Sequence, residues 1–311
     1  MVENRPWLNL ISHVVLLLGV AVVVFPLWVT VVSSTHRGID LMSAPIPMWF
    51  GDQFLANYTR MLTAGMDSVA GQPLGLMLFN SLVMALTIAL GKIAISLTAA
   101  FAICYFRFPL RMTCFWIIFI TLMLPVEVRI LPTYEVVANV LTPLRKLLGL
   151  FGYEADEVVL LGMTIDLNLS MLDSYTGLTL PLIASATATF LFRQFFLTVP
   201  DELTEAARID GAGPMKFFRD ILLPLSRTNI AALFVILFIY GWNQYLWPLL
   251  ITTKPEYVTI VMGIQRMVNV ADTEPQWHLV MTATVLAMLP PVIIVVAMQR
   301  LFVKGLVETE K

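Results

Sequence analysis

Three charged residues lie within or beside otherwise apolar segments of this 311-residue sequence. Lys92 is inside one such segment, and Glu127 and Arg129 are near the end of the next. A charge at the centre of a bilayer costs about 2.5–3.5 kcal/mol on insertion scales, so these side chains normally face a protein interior, pair or line a pathway. Glu127 and Arg129 point in different directions on a regular helix and are not an obvious ion pair. We expect Lys92 or Arg129 to attract an anionic solute; the alternative is that both reach the membrane interfaces.

A second candidate group is a polar and aromatic run in a later apolar segment. It consists of Trp242, Asn243, Gln244 and Tyr245. Amide side chains inside a membrane helix need hydrogen-bond partners, and aromatic rings can stack on a polyol or sugar. The alternative is an aromatic belt at the outer interface combined with helix packing.

A third candidate is a polar stretch that begins at Thr198 and ends at Pro224, between two apolar segments. Thr198 is predicted to cap a first helix, whose first turn accommodates Pro200. Gly211 can adopt the left-handed conformation that ends this helix. Pro214 then begins a second short helix, which Pro224 ends. The stretch is therefore predicted to be a helix–turn–helix between two membrane spans.

The same stretch resembles, in full, the EAA loop of ABC-importer permeases. The residues that match or accompany the motif are Glu205, Ala206, Ala207, Asp210, Gly211, Ile221, Leu223 and Pro224. The resemblance implies a cytoplasmic coupling helix that docks into a cleft on an ATP-binding subunit. Ala206, Ala207 and Ala212 are small enough for close approach to a partner, and Glu205 could pair with a basic residue there. The alternative is a solvated amphipathic surface helix.

Composition defines the elements that must position these groups. The chain is 59% hydrophobic and 13% charged, whereas a soluble domain carries about 25% charged residues. Apolar runs long enough to cross about 30 Å of hydrocarbon recur along it. The predicted transmembrane spans are residues 12–32, 76–105, 112–134, 174–196, 229–252 and 277–298. Pro26, Pro125, Pro132 and the pair Pro290-Pro291 are expected to kink or break the helices that contain them.

Positive charge predicts the orientation of these spans. The richer face carries Arg5, Arg107, Arg111, Arg193, Arg208, Lys216, Arg219, Arg227, Arg300, Lys304 and Lys311. The poorer face carries Arg37, Arg60, Arg145, Lys146, Lys254 and Arg266. The bias of roughly two to one places both termini and the 198–224 loop in the cytoplasm.

Several function classes are disfavoured. Gly91-Lys92 lacks the other residues of a phosphate-binding loop, so the chain is not expected to bind ATP. The 2 cysteines flank one short basic loop and the 3 histidines are scattered, which argues against a metal site. The sequence contains no cluster of polar residues that would indicate a membrane enzyme. It contains no basic domain that would indicate nucleic-acid binding. A secondary transporter would not need a docking loop.

Further segments are similar to the carbohydrate-type ABC-importer permeases. They are residues 3–7, 119–130, 172–175, 187–196 and 240–250, in addition to 198–224. The resemblance implies an all-α membrane protein of about six transmembrane helices, a single permease domain over residues 1–311 with the type I importer fold and a cytoplasmic coupling helix.

The family also implies partners: a homologous second permease in a heterodimer, two ATP-binding subunits that use ATP and Mg, and an extracytoplasmic solute-binding protein. The chain itself would bind membrane lipid but no cofactor, in a bacterial inner membrane. The implied solute is sn-glycerol 3-phosphate, with glycerophosphodiesters as further candidates; a neutral sugar or polyol is the alternative. Residues 140–171 depart from the family pattern as an extracytoplasmic insertion, which contacts the binding protein or is a tolerated loop.

Overall fold

The computed structural model describes residues 6–121, 126–150, 157–160, 163–166, 169–184, 186–269 and 275–308. The helices are α1 (Pro6–Ser33), α2 (Phe54–Thr63), α3 (Leu74–Tyr105), α4 (Arg111–Ile120), α5 (Val126–Ala138), α6 (Thr142–Gly149), α7 (Tyr175–Ile183), α8 (Ala186–Phe196), α9 (Asp201–Ile209), α10 (Pro214–Phe217), α11 (Leu223–Leu225), α12 (Arg227–Trp242), α13 (Leu246–Ile251), α14 (Ile260–Val268) and α15 (Trp277–Glu308). The helical fold predicted from the apolar segments is confirmed.

The lengths of these helices limit which of them can cross a bilayer alone. Within the described residues, α1, α3 and α15 are long and apolar enough. Two bent pairs of helices are long enough only if each pair is counted as one span. The first is α7 with α8, bent by 43°, and the second is Pro214–Leu225 with α12, bent by 71°. The predicted span 112–134 corresponds to α4 and α5; residues 122–125, which include Pro125, lie between them and outside the described residues.

The predicted span 229–252 is interrupted, which the sequence reading did not anticipate. Helix α12 ends at Trp242, and α13 begins at Leu246. Pro248 explains the break, because it has no N–H to donate to the carbonyl of Gln244 and its ring would clash with that carbonyl in a continuous helix. In α13 the same residue lies in the first turn, where backbone N–H groups have no helical partner.

The chain divides into two units, Met1–Leu78 with Gly263–Pro290, and Phe79–Met262 with Pro291–Lys311. In the first unit, the buried side chain of Asn57 holds the segment that follows α1. Its Nδ2 donates to the carbonyls of Ser34 and His36, both at 2.9 Å. Thr282 Oγ1 on α15 also donates to the Ser34 carbonyl, at 3.2 Å. These bonds satisfy backbone acceptors in the segment that follows α1.

The second unit has an apolar core contributed by α3, α5, α7 and α13. Its buried members are Met84, Ile88, Val137, Leu178, Trp247 and Ile251. Helices α3 and α12 approach closely at Gly241, where an added Cβ would lie 2.9 Å from Ala85 Cα. Trp247 Nε1 donates to the Gly177 carbonyl at 3.1 Å, which satisfies the one polar atom of a buried indole.

Residues 140–171 contain both helix and strand. Helix α6 is a short amphipathic helix within this segment. The structure adds strands β1 (Glu157–Leu160) and β2 (Met163–Asp166), which pair antiparallel with Glu157 opposite Asp166. Residues 151–156, 161–162 and 167–168 lie outside the described part of the chain. The strands are rich in β-branched residues, which favours this conformation over helix.

Asp173, which follows this segment, joins two loops of the second unit. Its carboxylate accepts hydrogen bonds from Thr253 N at 2.6 Å, Thr253 Oγ1 at 2.7 Å and Lys254 N at 2.9 Å. Partial burial raises the pKa of Asp173, but these hydrogen bonds outweigh it, so the pKa lies below its ordinary value. The ionised carboxylate is therefore the form that holds the loops together.

Candidate functional site

The second unit contains a cavity of about 100 Å³ that brings several predicted residues together. Its polar lining comes from Lys92 on α3, Arg129 and Thr133 on α5, Tyr240 on α12, and Gln244 in the break between α12 and α13. Leu182, Pro181 and Trp247 supply apolar lining. Two of the described lining residues are cations and none is a carboxylate, so the cavity can attract an anion.

Lys92 is held in this cavity by burial and by an aromatic ring. Only 7% of the residue is exposed, and its Nζ lies 4.1 Å from the centroid of the Tyr240 ring. A ring face attracts an ammonium ion by about 0.5–2 kcal/mol, and more strongly when the ion is desolvated. Lys92 is therefore enclosed by the protein in this structure and does not extend along its surface.

Gln244 reaches the cavity because α12 has ended two residues earlier. Its Nε2 donates to the Tyr240 carbonyl at 3.1 Å, one of the acceptors that the end of α12 leaves free. The amide oxygen of Gln244 is thereby oriented by the backbone of the helix that carries Tyr240. The break thus sets the backbone position from which the Gln244 amide lines the cavity.

Among the described residues, Trp242, Asn243 and Tyr245, also proposed for the solute pathway, do not line this cavity. Trp242 is buried and stacks on Phe238, with ring centroids 5.7 Å apart, so it belongs to the packing of α12. Asn243 and Tyr245 are exposed on the break. Glu127 lies in α5, but its side chain is outside the described part of the structure.

Two polar residues that line the cavity, Thr133 and Tyr240, were not identified as site residues from the sequence. Thr133 lies one helical turn after Arg129, to whose carbonyl its Oγ1 donates at 2.7 Å. That spacing places both on one face of α5 and could have identified Thr133. No sequence signal pairs Tyr240 with Lys92, because the contact depends on how α3 and α12 are rotated against each other.

The motif stretch 198–224 forms two helices joined by a tight turn, as predicted. Helix α9 ends at Ile209, Asp210 follows as its C-cap, and Gly211 has a φ of 70°, the left-handed value expected of it. Pro214 is the first residue of α10, also as predicted. The predicted cap is wrong: the residue that precedes α9 is Pro200, and Thr198 Oγ1 instead donates to the Phe195 carbonyl at 2.7 Å. That carbonyl belongs to the last turn of α8, so Thr198 closes the preceding helix.

Pro224 does not end the second helix, contrary to the sequence prediction. The chain continues from α10 through a π-helical turn, Phe218–Leu222, into α11, and the sharp bend follows at Ser226. Pro224 cannot donate to the carbonyl of Asp220, and Leu223 N–H bonds the Phe218 carbonyl five residues back. The proline is thus accommodated by a wider turn, a feature often found at functional sites.

The outer face of the motif loop is polar with two large apolar side chains. Glu205, Ala206, Asp210 and Gly211 are exposed. Ile209 is 86% exposed and Met215 is 71% exposed, on either side of the Gly211 turn. We call these six residues the outer face. Exposed large apolar residues clustered at a turn are typical of a protein–protein contact.

Ala207 and the later motif residues face the chain itself. Ala207 is buried and lines a cavity of about 160 Å³ beside α3, with Ala212. Ile221, Leu223 and Pro224 are half-buried. Two of the three alanines expected to meet a partner therefore line the chain's own cavity.

The family model for "binding-protein-dependent transport system inner membrane component" matches residues 91–308. The sn-glycerol-3-phosphate transport system permease protein UgpE of Agrobacterium fabrum is 55% identical over 311 residues, and that of Rhizobium meliloti is 54% identical. Both alignments cover 100% of this chain and 100% of the relative.

A solved structure shares the fold. It is the crystal structure of a bacterial ABC transporter involved in the import of the acidic polysaccharide alginate. One of its chains matches with a TM-score of 0.72 and 17% identity, over 96% of this chain and 98% of that one.

Proposed function

The chain belongs to the family of binding-protein-dependent transport system inner membrane components, and we propose that the solute it carries is sn-glycerol 3-phosphate. It is a permease subunit of an ABC importer and not an enzyme. The inner membrane is its location. Glycerophosphodiesters, which carry the same phosphate–glycerol group, are the second solutes that we include.

The observation that carries the solute proposal is the convergence of Lys92 and Arg129 on one cavity. A phosphate monoester has a charge of about −1.5 to −2 at pH 7 and three acceptor oxygens. Two cations that face one cavity stabilise such an anionic group more than they stabilise a neutral sugar. Gln244 and Thr133, which line the same cavity, offer hydrogen-bonding groups for glycerol hydroxyls. The relatives named for this solute, at 54–55% identity, support the same assignment.

The outer face of the motif loop is the proposed docking surface for an ATP-binding subunit. Ile209 and Met215 would enter an apolar groove on that subunit, and Glu205 and Asp210 would meet basic residues at its rim. ATP and Mg are then bound by the partner, and this chain needs no cofactor. We propose a complex of this chain, a homologous second permease, two ATP-binding subunits and an extracytoplasmic solute-binding protein.

The orientation that we propose places both termini and the outer face in the cytoplasm, where ATP is available. The excess of lysine and arginine on that face of the predicted topology supports it. Labelling of a cysteine introduced at exposed Met215 tests this placement. A membrane-impermeant maleimide should react in inverted vesicles and not in intact cells, and the reverse pattern contradicts it.

Uptake by the reconstituted complex tests the solute. The proteoliposomes contain both permeases and the ATP-binding subunits. The solute-binding protein is added to the external medium, and ATP is enclosed in the lumen. We expect ATP-dependent uptake of labelled sn-glycerol 3-phosphate and none of glycerol or maltose. Uptake of the neutral compounds at an equal rate would contradict the proposal and favour a sugar or polyol permease.

Two variants distinguish loss of the solute site from loss of assembly of the complex. Arg107→Gln removes an exposed cation that lies outside the cavity and should leave uptake unchanged. Lys92→Met removes the buried cation and preserves the apolar stem. We expect Lys92→Met to assemble with its partners and to lose at least about tenfold in uptake, since hydrogen bonds to charged groups contribute about 1.5–3 kcal/mol.

A further inference from the structure

Aromatic side chains join the second motif helix to the ends of α3 and α8. Phe217 of α10 is buried, and its ring centroid lies 5.3 Å from that of Tyr105, the last residue of α3, at an angle of 62°. The Tyr105 ring also contacts Phe196, the last residue of α8, with centroids 6.1 Å apart. One ring therefore touches three helices.

A second pair of rings extends this contact. Phe101, one helical turn before Tyr105, lies 4.8 Å from Phe218 in the π-helical turn and 5.5 Å from Tyr105. Tyr105 Oη donates to the Phe196 carbonyl at 3.5 Å. We call Phe101, Tyr105, Phe196, Phe217 and Phe218 the aromatic clasp. Edge-to-face and tilted ring pairs at these distances are attractive and have specific geometry, so they resist sliding.

The first motif helix is attached much less firmly to the same part of the chain. Within the described residues, α9 buries only Ala207. The cavity of about 160 Å³ lies between α9 and α3 and is lined by Thr204, Ala207 and Arg208 on one side and by Phe101, Tyr105 and Phe106 on the other. The cavity leaves α9 with few packing contacts to α3. The ring contacts of the clasp are therefore the closer packing between the motif loop and α3.

Helix α3 connects the clasp to the candidate solute cavity. Lys92 and Tyr105 lie on this one continuous helix, 13 positions apart by their numbers, which is about 20 Å along the axis. A helix moves as a rigid element on this scale. A displacement of Tyr105 would therefore also displace Lys92, which faces the cavity.

We propose that Tyr105 and Phe217 are positioning residues for energy coupling: their ring contact transmits movement of the motif loop to α3 and α8. This inference rests on the proposed docking of an ATP-binding subunit on the outer face. Neither residue belongs to the outer face, so substitution in the clasp should spare docking and disturb transmission.

The test uses Tyr105→Leu, Phe217→Leu and the variant with both leucine substitutions in the reconstituted complex. Tyr105→Phe is the control. We expect all four to retain the ATP-binding subunit on purification. The three leucine variants should transport at least about fivefold less solute per ATP hydrolysed, the lower end of typical coupling energies. The double variant should be no worse than the poorer single variant, because both lose one shared contact. Tyr105→Phe keeps the ring and should transport normally.

Two results overturn the proposal. One is an unchanged ratio of solute to ATP in the leucine variants. The other is loss of the ATP-binding subunit from them, which would assign a folding role to the two rings. Ile209→Asp on the outer face separates this proposal from the docking proposal. If Ile209→Asp retains the subunit and transports normally, the docking surface is wrong, whatever the clasp variants do.

Discussion

Lys92 Nζ lies 4.1 Å from the centroid of the Tyr240 ring, so α3 and α12 meet at a buried cation. The ring presents its negative face to the ammonium group of Lys92. This attraction offsets part of the free-energy cost of a charged side chain within a membrane helix. The contact leaves the three N–H donors of Lys92 without a carboxylate among the described lining residues of the cavity. Lys92 thus remains a cation that an anionic solute can approach.

Tyr240 should contribute through its ring and not through its hydroxyl. We predict that Tyr240→Phe transports sn-glycerol 3-phosphate within about twofold of the wild type. Tyr240→Leu should lower the initial uptake rate at saturating binding protein by about threefold to thirtyfold, the equivalent of 0.5–2 kcal/mol. Equal loss in both variants would show that the hydroxyl carries the effect.

Gly211 is predicted to tolerate asparagine better than valine. Its φ of 70° costs an ordinary residue about 1–2 kcal/mol, and asparagine adopts this region more readily. An added Cβ meets no atom of this chain within 4 Å, so within the chain the cost of substitution is one of backbone conformation. We expect Gly211→Val to weaken binding of the ATP-binding subunit about fivefold to thirtyfold and Gly211→Asn about twofold or less. A pull-down titration measures both; equal affinities would contradict a role for the turn.

Asp173→Asn should destabilise the chain at neutral pH and lose that effect in acid. Asparagine tolerates the positive φ of 51° at this position, so the substitution removes charge without adding backbone strain. The folded pKa of Asp173 lies below its ordinary value of 3.8. Its stabilisation is therefore fully present above pH 3.8 and is lost as the pH falls through the folded pKa.

Thermal unfolding in detergent measures this difference. We expect a midpoint about 2–4 °C lower for Asp173→Asn at pH 7, with the gap closing below pH 3.8. Asp67→Asn, at an exposed carboxylate, is the control and should unfold as the wild type does. A gap that persists unchanged in acid would contradict a role for the charged form.

Gly241→Ala should destabilise the packing of α3 on α12. The new Cβ would lie 2.9 Å from Ala85 Cα, a backbone atom that cannot turn aside. Overpacking of this kind costs about 1–3 kcal/mol. Gly213→Ala, where nothing lies within 4 Å of the added Cβ, is the matched control. Equal thermal midpoints for the two variants would show that the helices separate freely at Gly241.

The sequence predicted features whose physics is local. The left-handed turn at Gly211 and the helix start at Pro214 follow from backbone chemistry, and Lys92 and Arg129 stand out because charge is costly in hydrocarbon. Side-chain direction is a different matter. Ala207 belongs to the motif yet faces the chain's own cavity, because the rotation of α9 is set by packing that no spacing rule encodes.

The remaining differences arise from contacts between segments distant in sequence. Tyr240 joins the site only because α3 and α12 pack at Gly241. Thr198 looks like a cap for the following helix, but its hydroxyl finds the nearer Phe195 carbonyl of the preceding one. Pro224 was expected to end a helix, and a π-helical turn accommodates it instead.

The most direct test of the central claim is ATP-driven uptake of labelled sn-glycerol 3-phosphate by proteoliposomes that contain the Arg129→Gln complex. Arg129 lines the cavity with Lys92, so loss of its charge should weaken attraction of the phosphate while glutamine preserves hydrogen bonding. With the ATP-binding subunits retained, we expect uptake to fall about tenfold to a hundredfold. Uptake at the wild-type rate by the intact complex would contradict the account.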